Sequence, residues 1–308
     1  MAITKRFYKG WLSFSSRSIR AYCIVLVLQL LCSSAIAVET LERIAKTGRI
    51  TLGYDDSSLP FSYLDEKSQP IGYSIDVCMK IVEAVKRELR RPDLAVKFSL
   101  VSSSSSLMAV VTGDVDIECS STTSTIYRRK QVSFTIPMFF AKTTFMVREG
   151  SGIRTFNDMY GKTVVATKGG NNEELFDEYH DRLSAKLVLA KSDTESLAML
   201  ESGAADALIS DDVRLRRLQL FAKEPGKFKI MQYALNVEPL SIVLSKDDSS
   251  FKRLVDAEMA RVITQGELRS IHQKWFQSPI PPQQINLNIP MGNLLLDSLR
   301  TPSDWVQK

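Results

Sequence analysis

Six consecutive hydroxyl side chains precede a basic triplet in the segment ECSSTTSTIYRRKQVSFT, residues 118–135. The triplet consists of Arg128, Arg129 and Lys130. Hydroxyls followed by a guanidinium fit a solvated loop, a phosphate site or a pocket for a small carboxylate, because arginine pairs bidentately with either anion. Which of these three interpretations applies depends on residues elsewhere in the chain.

Two further segments carry groups that could contact a small ligand. In TKGGNN, residues 167–172, two glycines allow a tight turn before a helix, but the Gly-Lys-Ser/Thr ending of a Walker loop is missing. The aspartate pair that begins at Asp211 could cap a helix or face an ammonium group. Arg128 with the hydroxyls of Ser121 and Thr123 supplies a positive anchor, and Asp211 supplies a negative one. Such a pair of anchors suits an α-amino acid.

Groups for catalysis or metal binding are sparse. His180 and His272 lie in helical patterns without ligand spacing, and no G-x-S-x-G, H-E-x-x-H or C-x-x-C motif occurs. We therefore expect binding rather than turnover, with no catalytic residue, metal or cofactor.

The elements that must position these groups alternate between strand and helix. A strand pattern at 49–54 is followed by a helical face at 74–89 and a strand at 93–101, and a second β-α-β-α-β series starts at the strand 162–167. Two such series predict an α/β fold with two lobes, each a mostly parallel sheet flanked by helices.

Two apolar stretches, 132–147 and 239–245, are candidates for hinge strands that join the lobes. The amphipathic segment 249–277 would then return to the first lobe, ahead of an irregular tail. Ligands of open α/β sheets bind beyond the carboxyl ends of the strands. This rule places the hydroxyl run in a loop after Cys119 and places Asp211 just after another strand.

The first 37 residues are typical of an export signal. A basic segment precedes twelve apolar residues at 21–32, and the sequence AIA at 35–37 fits cleavage after Ala37. A short membrane anchor is the weaker alternative, since a bilayer span needs about 20 residues. The residue Gln29, where a lipoprotein signal has leucine, argues against a lipid on Cys32. We therefore expect a periplasmic protein.

The rest of the chain has no excess of positive charge. The signal holds five of the 40 Lys and Arg residues and no acidic residue, so 35 basic residues face 35 Asp and Glu. This balance gives no electrostatic footprint for nucleic acid. Two cysteines remain, Cys78 and Cys119; export permits a bridge, but buried thiols are the simpler interpretation.

Several segments in a fixed order resemble the periplasmic solute-binding proteins of polar amino-acid ABC importers, in particular their glutamate/aspartate-binding branch. The resemblance covers about residues 40–300. It implies two lobes that close around one ligand, a monomer, and a membrane permease as partner. The segments that carry it are LERIAKTGRITLGY, PFSY, IGYSIDVCMKIVEAV, GDVDIECSSTTSTIYRR, SFTIP, GKTVVATKGG, LESGAADALISDD, KWF and SPIPP.

The resemblance also implies the boundaries of the signal peptide, the two lobes and the tail. These are a signal peptide at 1–37, the first part of lobe 1 at 38–141, lobe 2 at 142–238, the return to lobe 1 at 239–278, and a tail at 279–308.

The resemblance assigns roles to individual positions. Arg128 matches the arginine that pairs with the α-carboxylate of the ligand, and Ser121 and Thr123 match contacts from the same segment. Asn171 matches a second-lobe residue that donates its backbone N–H to that carboxylate. Asp211 matches the aspartate that receives the α-ammonium group. Arg129 and Lys130 have no such role and are expected to be solvated.

The departures from this branch concern the side chain of the ligand. Ser103 is retained, but Asp55 and Ser106 stand where the branch has basic residues, and Asp193 stands where it has a histidine. A ligand carboxylate facing Asp55 and Asp193 without a counter-charge would be repelled by a few kcal/mol at an effective dielectric constant of about 20. Pairing of Asp55 with a lysine or Arg129 would weaken this argument. We predict a neutral polar or cationic amino acid rather than glutamate or aspartate.

Two other functions remain open. Some exported relatives of this fold are cyclohexadienyl dehydratases, so an enzyme is one alternative. A binding component that feeds its ligand to a sensor is the other.

Overall fold

The computed structural model describes residues 39–102, 105–168, 176, 178–179, 184–246 and 248–304. The predicted export signal and its cleavage site after Ala37 lie outside these residues, as does most of the predicted helix at 171–183.

Thirteen strands occur in the described part of the chain, and ten of them form one sheet. The central path of this sheet has the order β10-β9-β11-β8-β13-β6-β1-β5, with β12 paired to β8 and β7 paired to β13. A separate sheet has the order β2-β3-β4. The strands are β1 Arg49–Tyr54, β2 Ser57–Ser58, β3 Ser62–Leu64, β4 Pro70–Ile71, β5 Ala95–Leu100, β6 Ile117–Thr123, β7 Val132–Phe134, β8 Phe139–Arg148, β9 Thr163–Thr167, β10 Lys186–Ala190, β11 Ala207–Asp211, β12 Phe228–Ile230 and β13 Asn236–Ser245.

Two long antiparallel strands cross the middle of the large sheet. Strands β8 and β13 pair over a register that runs from Asn236 opposite Thr143 to Leu240 opposite Phe139. On one side, β1 pairs in parallel with β5 and β6. On the other side, β9 pairs in parallel with β10 and β11. The expected α/β class with parallel strands in both halves is confirmed.

Helices flank this sheet, and their positions follow the apolar periodicity of the sequence. The helix predicted at 74–89 forms and buries one face that includes Val77, Ile81 and Val85. In the described residues the helices are α1 Thr40–Thr47, α2 Tyr73–Leu89, α3 Ser106–Thr112, α4 Asp193–Ser202, α5 Asp212–Phe221, α6 Ser249–Thr264, α7 Glu267–Phe276 and α8 Asn293–Ser298.

Separate hydrophobic cores support the two halves. The largest core joins α2, β1, β6 and the returning helices α6 and α7, with Phe251 and Phe276 fully buried. In the other half, Phe145 and Phe176 belong to one core, and Leu208 belongs to another. The two halves therefore meet at the paired strands β8 and β13. The predicted lobe boundaries after residues 141 and 238 fall within these strands and stay a prediction.

The preference for buried thiols at the two remaining cysteines is wrong. Cys78 on α2 and Cys119 on β6 form a disulfide with a Cα–Cα distance of 6.2 Å. Both residues are fully buried. The sequence pattern places them on neighbouring elements but does not show that their side chains meet. The bridge ties a core helix to the strand that carries the hydroxyl run.

The placement of the hydroxyl run in a loop is also wrong. Strand β6 does not end at Cys119 but continues through Thr123. This extension forms because β13 supplies backbone partners, with Ser241 opposite Thr122 and Leu240 opposite Thr123. The first four hydroxyls of the run therefore stand on a strand with alternating side-chain directions.

Candidate functional site

A cleft of about 630 Å3 lies at the strand ends and draws residues from both halves of the large sheet and from both crossing strands. The lining includes Ser121 of β6 in the first half, Thr167 of β9 in the second half, and Thr143 and Leu240 of the crossing strands. The charged lining residues are Asp55, Arg128, Lys168, Asp193, Asp211, Arg214, Arg217 and Glu238. Four of these are acidic and four are basic, so the lining is formally neutral and suits a zwitterionic ligand.

Arg128 lines the cleft, as expected, and is held by its own segment. It starts a short 3-10 turn, Arg128–Lys130. Its Nη1 donates to the carbonyl oxygen of Thr123 at 3.0 Å, and its backbone N–H donates to Oγ1 of Thr125 at 3.1 Å. The guanidinium is therefore oriented with further N–H donors left for an anion.

The expectation of a solvated side chain is wrong for Arg129. Its Nε donates to Oγ of Ser124 at 2.8 Å, and its Nη2 donates to the carbonyl oxygen of Asp304 at 2.6 Å. Its guanidinium also lies over the ring of Phe134, 5.5 Å from the ring centre. Arg129 therefore anchors the C-terminal segment through Ser124 and Asp304. Lys130 is exposed, as expected.

Ser121 and Thr123 also line the cleft. They stand on β6 rather than in a loop. The hydroxyl of Thr123 donates to Oε2 of Glu238 on β13 at 2.9 Å. A carboxylate of a crossing strand therefore holds the proton of this hydroxyl.

Glu118 is a buried acidic residue that the sequence analysis missed. It lies on β6 and is fully buried. The hydroxyls of Ser120 and Thr122 donate to its two carboxyl oxygens. Burial raises the pKa of Glu118 to about 7, with a smaller contribution from the charge of Asp55. A glutamate inside an apolar strand next to a hydroxyl run was the signal that could have identified it.

Asp211 combines both roles that its position suggested. It ends β11 and is the N-cap of α5, where Oδ1 accepts a hydrogen bond from the backbone N–H of Arg214 at 2.7 Å. It also lines the cleft, on the opposite half from Arg128. Helix capping fixes the direction of this carboxylate, and its remaining acceptor capacity is available to a cation.

Asp212 connects the same helix to a hinge strand. Its Oδ1 accepts from the backbone N–H of Lys142 on β8 at 3.1 Å. Burial raises the pKa of Asp212 to about 6, assisted by the charge of Asp211. The start of α5 is thus coupled to a strand that joins the halves.

The assumption that Asp193 meets the ligand without a counter-charge is wrong. Asp193 lines the cleft, but its Oδ2 forms an ion pair with Nη2 of Arg217 and lies 3.6 Å from Nε of Arg214. Its Oδ1 accepts from the hydroxyl of Thr167 at 2.8 Å. Both arginines line the cleft too, and neither was identified from sequence. Their spacing of three residues places them on the same side of α5, where Asp193 neutralises part of their charge.

Asp55 and Ser106 are the other two predicted specificity residues, and both line the cleft. Asp55 follows β1 and is 8% exposed. Its Oδ1 accepts from the backbone N–H and from the hydroxyl of Ser57, each at 2.8 Å. Ser106 is buried at the start of α3. The predicted ligand contacts Ser103 and Asn171 lie outside the described residues.

Residues that could bind a metal ion do not cluster anywhere in the described part of the chain. His272 is a core residue that stacks on Phe139 and Phe276. His180 lies outside the described residues. Across the described ranges, we find no helix with the length and apolarity needed to span a bilayer.

Comparison with known proteins shows which family the chain belongs to. Residues 50–278 match the family model of the bacterial extracellular solute-binding proteins, family 3. The chain is 39% identical over 285 residues to the L-glutamate/L-aspartate-binding protein of Pseudomonas aeruginosa, covering 91% of this chain and 94% of that protein. It is 36% identical over 270 residues to the glutamate/aspartate import solute-binding protein of Escherichia coli, covering 87% of this chain and 89% of that protein.

Solved structures show the same fold. A mutant of ArgBP from T. maritima has a TM-score of 0.64 at 23% identity, covering 77% of this chain and 99% of that one. The ancestral amino acid-binding protein AncCDT-1, a precursor of cyclohexadienyl dehydratase, has a TM-score of 0.64 at 25% identity and the same coverage. The two-lobed type II periplasmic-binding-protein fold is therefore confirmed. The chain belongs to the bacterial extracellular solute-binding proteins of family 3.

Proposed function

We propose that this protein captures an amino acid in the cleft and delivers it to the membrane permease of an ABC importer. The observation that carries the proposal is the presence of Arg128 and Asp211, of opposite charge and from opposite halves, in one cleft. Arg128 would bind the α-carboxylate, with Ser121 and Thr123 beside it, and Asp211 would bind the α-ammonium group.

Two residues outside the described ranges complete the proposed contacts. Asn171 would donate its backbone N–H to the α-carboxylate, and Ser103 would contact the ligand from the first half. Closure about β8 and β13 would bring the groups of both halves onto the ligand. A ligand that touches both halves favours the closed state because only that state offers all of its contacts.

The names of the relatives support this role. Both glutamate/aspartate-binding relatives align over most of their length, and the one from E. coli is named an import protein. We place the mature protein in the periplasm as a monomer, after cleavage behind Ala37.

The ligand side chain is proposed to be neutral polar or cationic, unlike the glutamate and aspartate of those relatives. Because Asp193 is paired with Arg217, the preference is proposed to come from the region around Asp55, whose carboxylate stands where the branch has a basic residue. Buried Glu118 lies close enough to Asp55 for that charge to contribute to its raised pKa. A carboxylate ligand would meet these groups at an electrostatic cost.

Transport is favoured over turnover because the two glutamate/aspartate relatives described above are named binding proteins. A dehydratase remains the second candidate, because AncCDT-1 is described as a dehydratase precursor. Release of product from a cyclohexadienyl substrate would distinguish the two roles. Delivery of the ligand to a sensor instead of a permease would require the same cleft.

A thermal-shift screen of the exported protein against the twenty amino acids tests the proposal. A ligand at 1,000 times its Kd stabilises the folded state by about 4 kcal/mol, which raises Tm by several degrees. We expect such a rise with a neutral polar or cationic amino acid. The absence of a shift with any amino acid contradicts the function, whereas a largest shift with glutamate contradicts only the side-chain preference.

A further inference from the structure

The carboxyl group of Glu118 lies directly behind two hydroxyl groups of the cleft. Oε1 accepts a hydrogen bond from Oγ of Ser120, and Oε2 accepts one from Oγ1 of Thr122 at 3.0 Å. Glu118 is fully buried, whereas both hydroxyl residues line the cleft. The three residues alternate along β6, which puts their side chains on one face of the strand.

This arrangement determines what the hydroxyls can offer to a ligand. A hydroxyl has one proton to donate, and the two carboxyl oxygens of Glu118 accept the protons of both hydroxyls. With their protons directed at Glu118, Ser120 and Thr122 present only lone pairs to the cleft.

We infer that Glu118 is a positioning residue that sets ligand preference by making Ser120 and Thr122 hydrogen-bond acceptors toward the cleft. The ligand group beside them is therefore a donor, such as an amide, an ammonium or a guanidinium. A ligand carboxylate at this place would face acceptors only and would lose its hydrogen bonds to water without replacement. The inference rests on the proposed function and names the side-chain class of its ligand.

The charge of Asp55 also favours a hydrogen-bond donor or a cation over a carboxylate. Its carboxylate is close enough to Glu118 to contribute to the raised pKa of that group, and it lines the cleft. A donor or a cation in the cleft near Asp55 would be attracted by this carboxylate, whereas an anion would be repelled.

Glutamine and glutamate form a matched pair of probes because they differ only in the amide or carboxylate at the side-chain end. We would titrate the exported protein by calorimetry with L-glutamine, L-arginine and L-lysine, which end in donors, and with L-glutamate, which does not. The tightest of the first three is expected to bind better than glutamate. The ratio of the two affinities is the measured preference.

The substitution Glu118→Gln tests the inference. The new amide NH2 donates to one of the two hydroxyls, which then turns its own proton toward the cleft. The preference should fall by about tenfold, which corresponds to one hydrogen bond. In a Ser120→Ala, Thr122→Val background the same substitution should leave the preference almost unchanged, because the hydroxyls through which it acts are gone.

Asp248→Asn is the matched control. This buried carboxylate caps α6 and accepts from the backbone N–H groups of Phe251 and Thr40 outside the cleft. Its substitution should lower Tm and leave the preference unchanged. A loss of preference in this variant would assign the effect to general destabilisation and overturn the inference.

The remaining outcomes separate the two proposals. An unchanged preference in folded Glu118→Gln overturns the inference. If that variant does not fold, Thr122→Val alone must weaken the donor-ended probe and spare glutamate, or the inference fails. A wild type that binds glutamate best, or none of the four probes, also contradicts it. A wild type that binds no amino acid at all contradicts the proposed function itself.

Discussion

Charged side chains of the cleft are held by protein partners at positions where a ligand could reach them. Arg128 is oriented by the carbonyl oxygen of Thr123, and Asp211 by the backbone N–H of Arg214. Such contacts reduce the ordering that a ligand must impose, which favours affinity. The groups proposed for the α-carboxylate and the α-ammonium are thus partly preorganised.

Asp193 forms an ion pair with Arg217 and lies near Arg214. Removing the charge of Asp193 should therefore alter the ligand preference. The substitution Asp193→Asn would leave both guanidinium groups without this counter-charge. We expect the affinity for glutamate to rise by at least about fivefold, which is about 1 kcal/mol for a partly exposed charge. Calorimetric titration with glutamate measures this.

A suitable control for that variant is Asp206→Asn. Asp206 also lies 3.6 Å from an arginine, Nη2 of Arg148, but it does not line the cleft. The substitution Asp206→Asn should leave the affinity for glutamate unchanged. A glutamate affinity that stays constant or falls in Asp193→Asn refutes the role assigned to this ion pair.

His272 should make stability sensitive to acid. It is 1% exposed, and burial lowers its pKa to about 4. The unfolded state takes up a proton near pH 6.5 while the folded state stays neutral, so stability is full above pH 6.5 and falls as the pH drops toward 4. The loss should reach about 3 kcal/mol.

The variant His272→Phe isolates this contribution because it keeps the aromatic stack and removes the titrating group. Urea unfolding at pH 7.5 and pH 4.5 should show a smaller acid loss in the variant than in the wild type. Equal losses would show that His272 does not contribute.

At the scale of single residues, the sequence best predicted the side chains whose position depends only on their neighbours along the chain. Arg128 follows β6, Asp211 ends β11, and both line the cleft, whereas their roles toward a ligand stay predictions. Arg214 and Arg217 were missed because their partner Asp193 is distant in sequence, and only the fold brings the start of α4 to these side chains of α5.

At the scale of elements, strand β6 joins the core to the cleft. Its first part lies in the hydrophobic core with Ile117 and Cys119, and its last part lines the cleft with Ser121 and Thr123. The sequence predicted that this strand ends at Cys119, because a run of hydroxyl residues suggests a loop. Its true length depends on pairing with β13, which is distant in sequence and leaves no local signal.

The disulfide should contribute strongly to the stability of this strand. It closes a loop with a sequence separation of 41 residues, for which chain entropy predicts about 4 kcal/mol. The double variant Cys78→Ala, Cys119→Ala should lose stability of this order in urea unfolding.

Reductant provides the control for that measurement. It should destabilise the wild type and have no effect on the double variant. Titration of two free thiols in the unfolded, non-reduced wild type would contradict the bridge.

At the scale of the whole molecule, the two halves have separate cores and share the adjacent strands β8 and β13. The alternation of strands and helices was sufficient to predict this organisation, because each β-α-β unit is encoded by local periodicity. The packing of the tail was not predictable in this way. Leu287 is fully buried in the first core, and its carbonyl oxygen accepts from Nε of Arg216 on α5 at 2.9 Å.

Through Leu287 the tail contacts both the core of the first half and helix α5. Helix α5 follows β11 of the second half, yet Val213 at its start is buried in the core of the first half. The region around α5 therefore carries cleft residues, a contact to β8 and a contact to the tail.

The most direct test of the central claim is calorimetric titration of Arg128→Ala with the amino acid that best stabilises the wild type. The α-carboxylate would lose its charge partner, so affinity should fall by at least about 100-fold. The matched control is Arg129→Ala, which removes a neighbouring arginine that contacts Ser124 and Asp304 and does not line the cleft. It should bind like the wild type. An unchanged affinity in Arg128→Ala would contradict the proposed site.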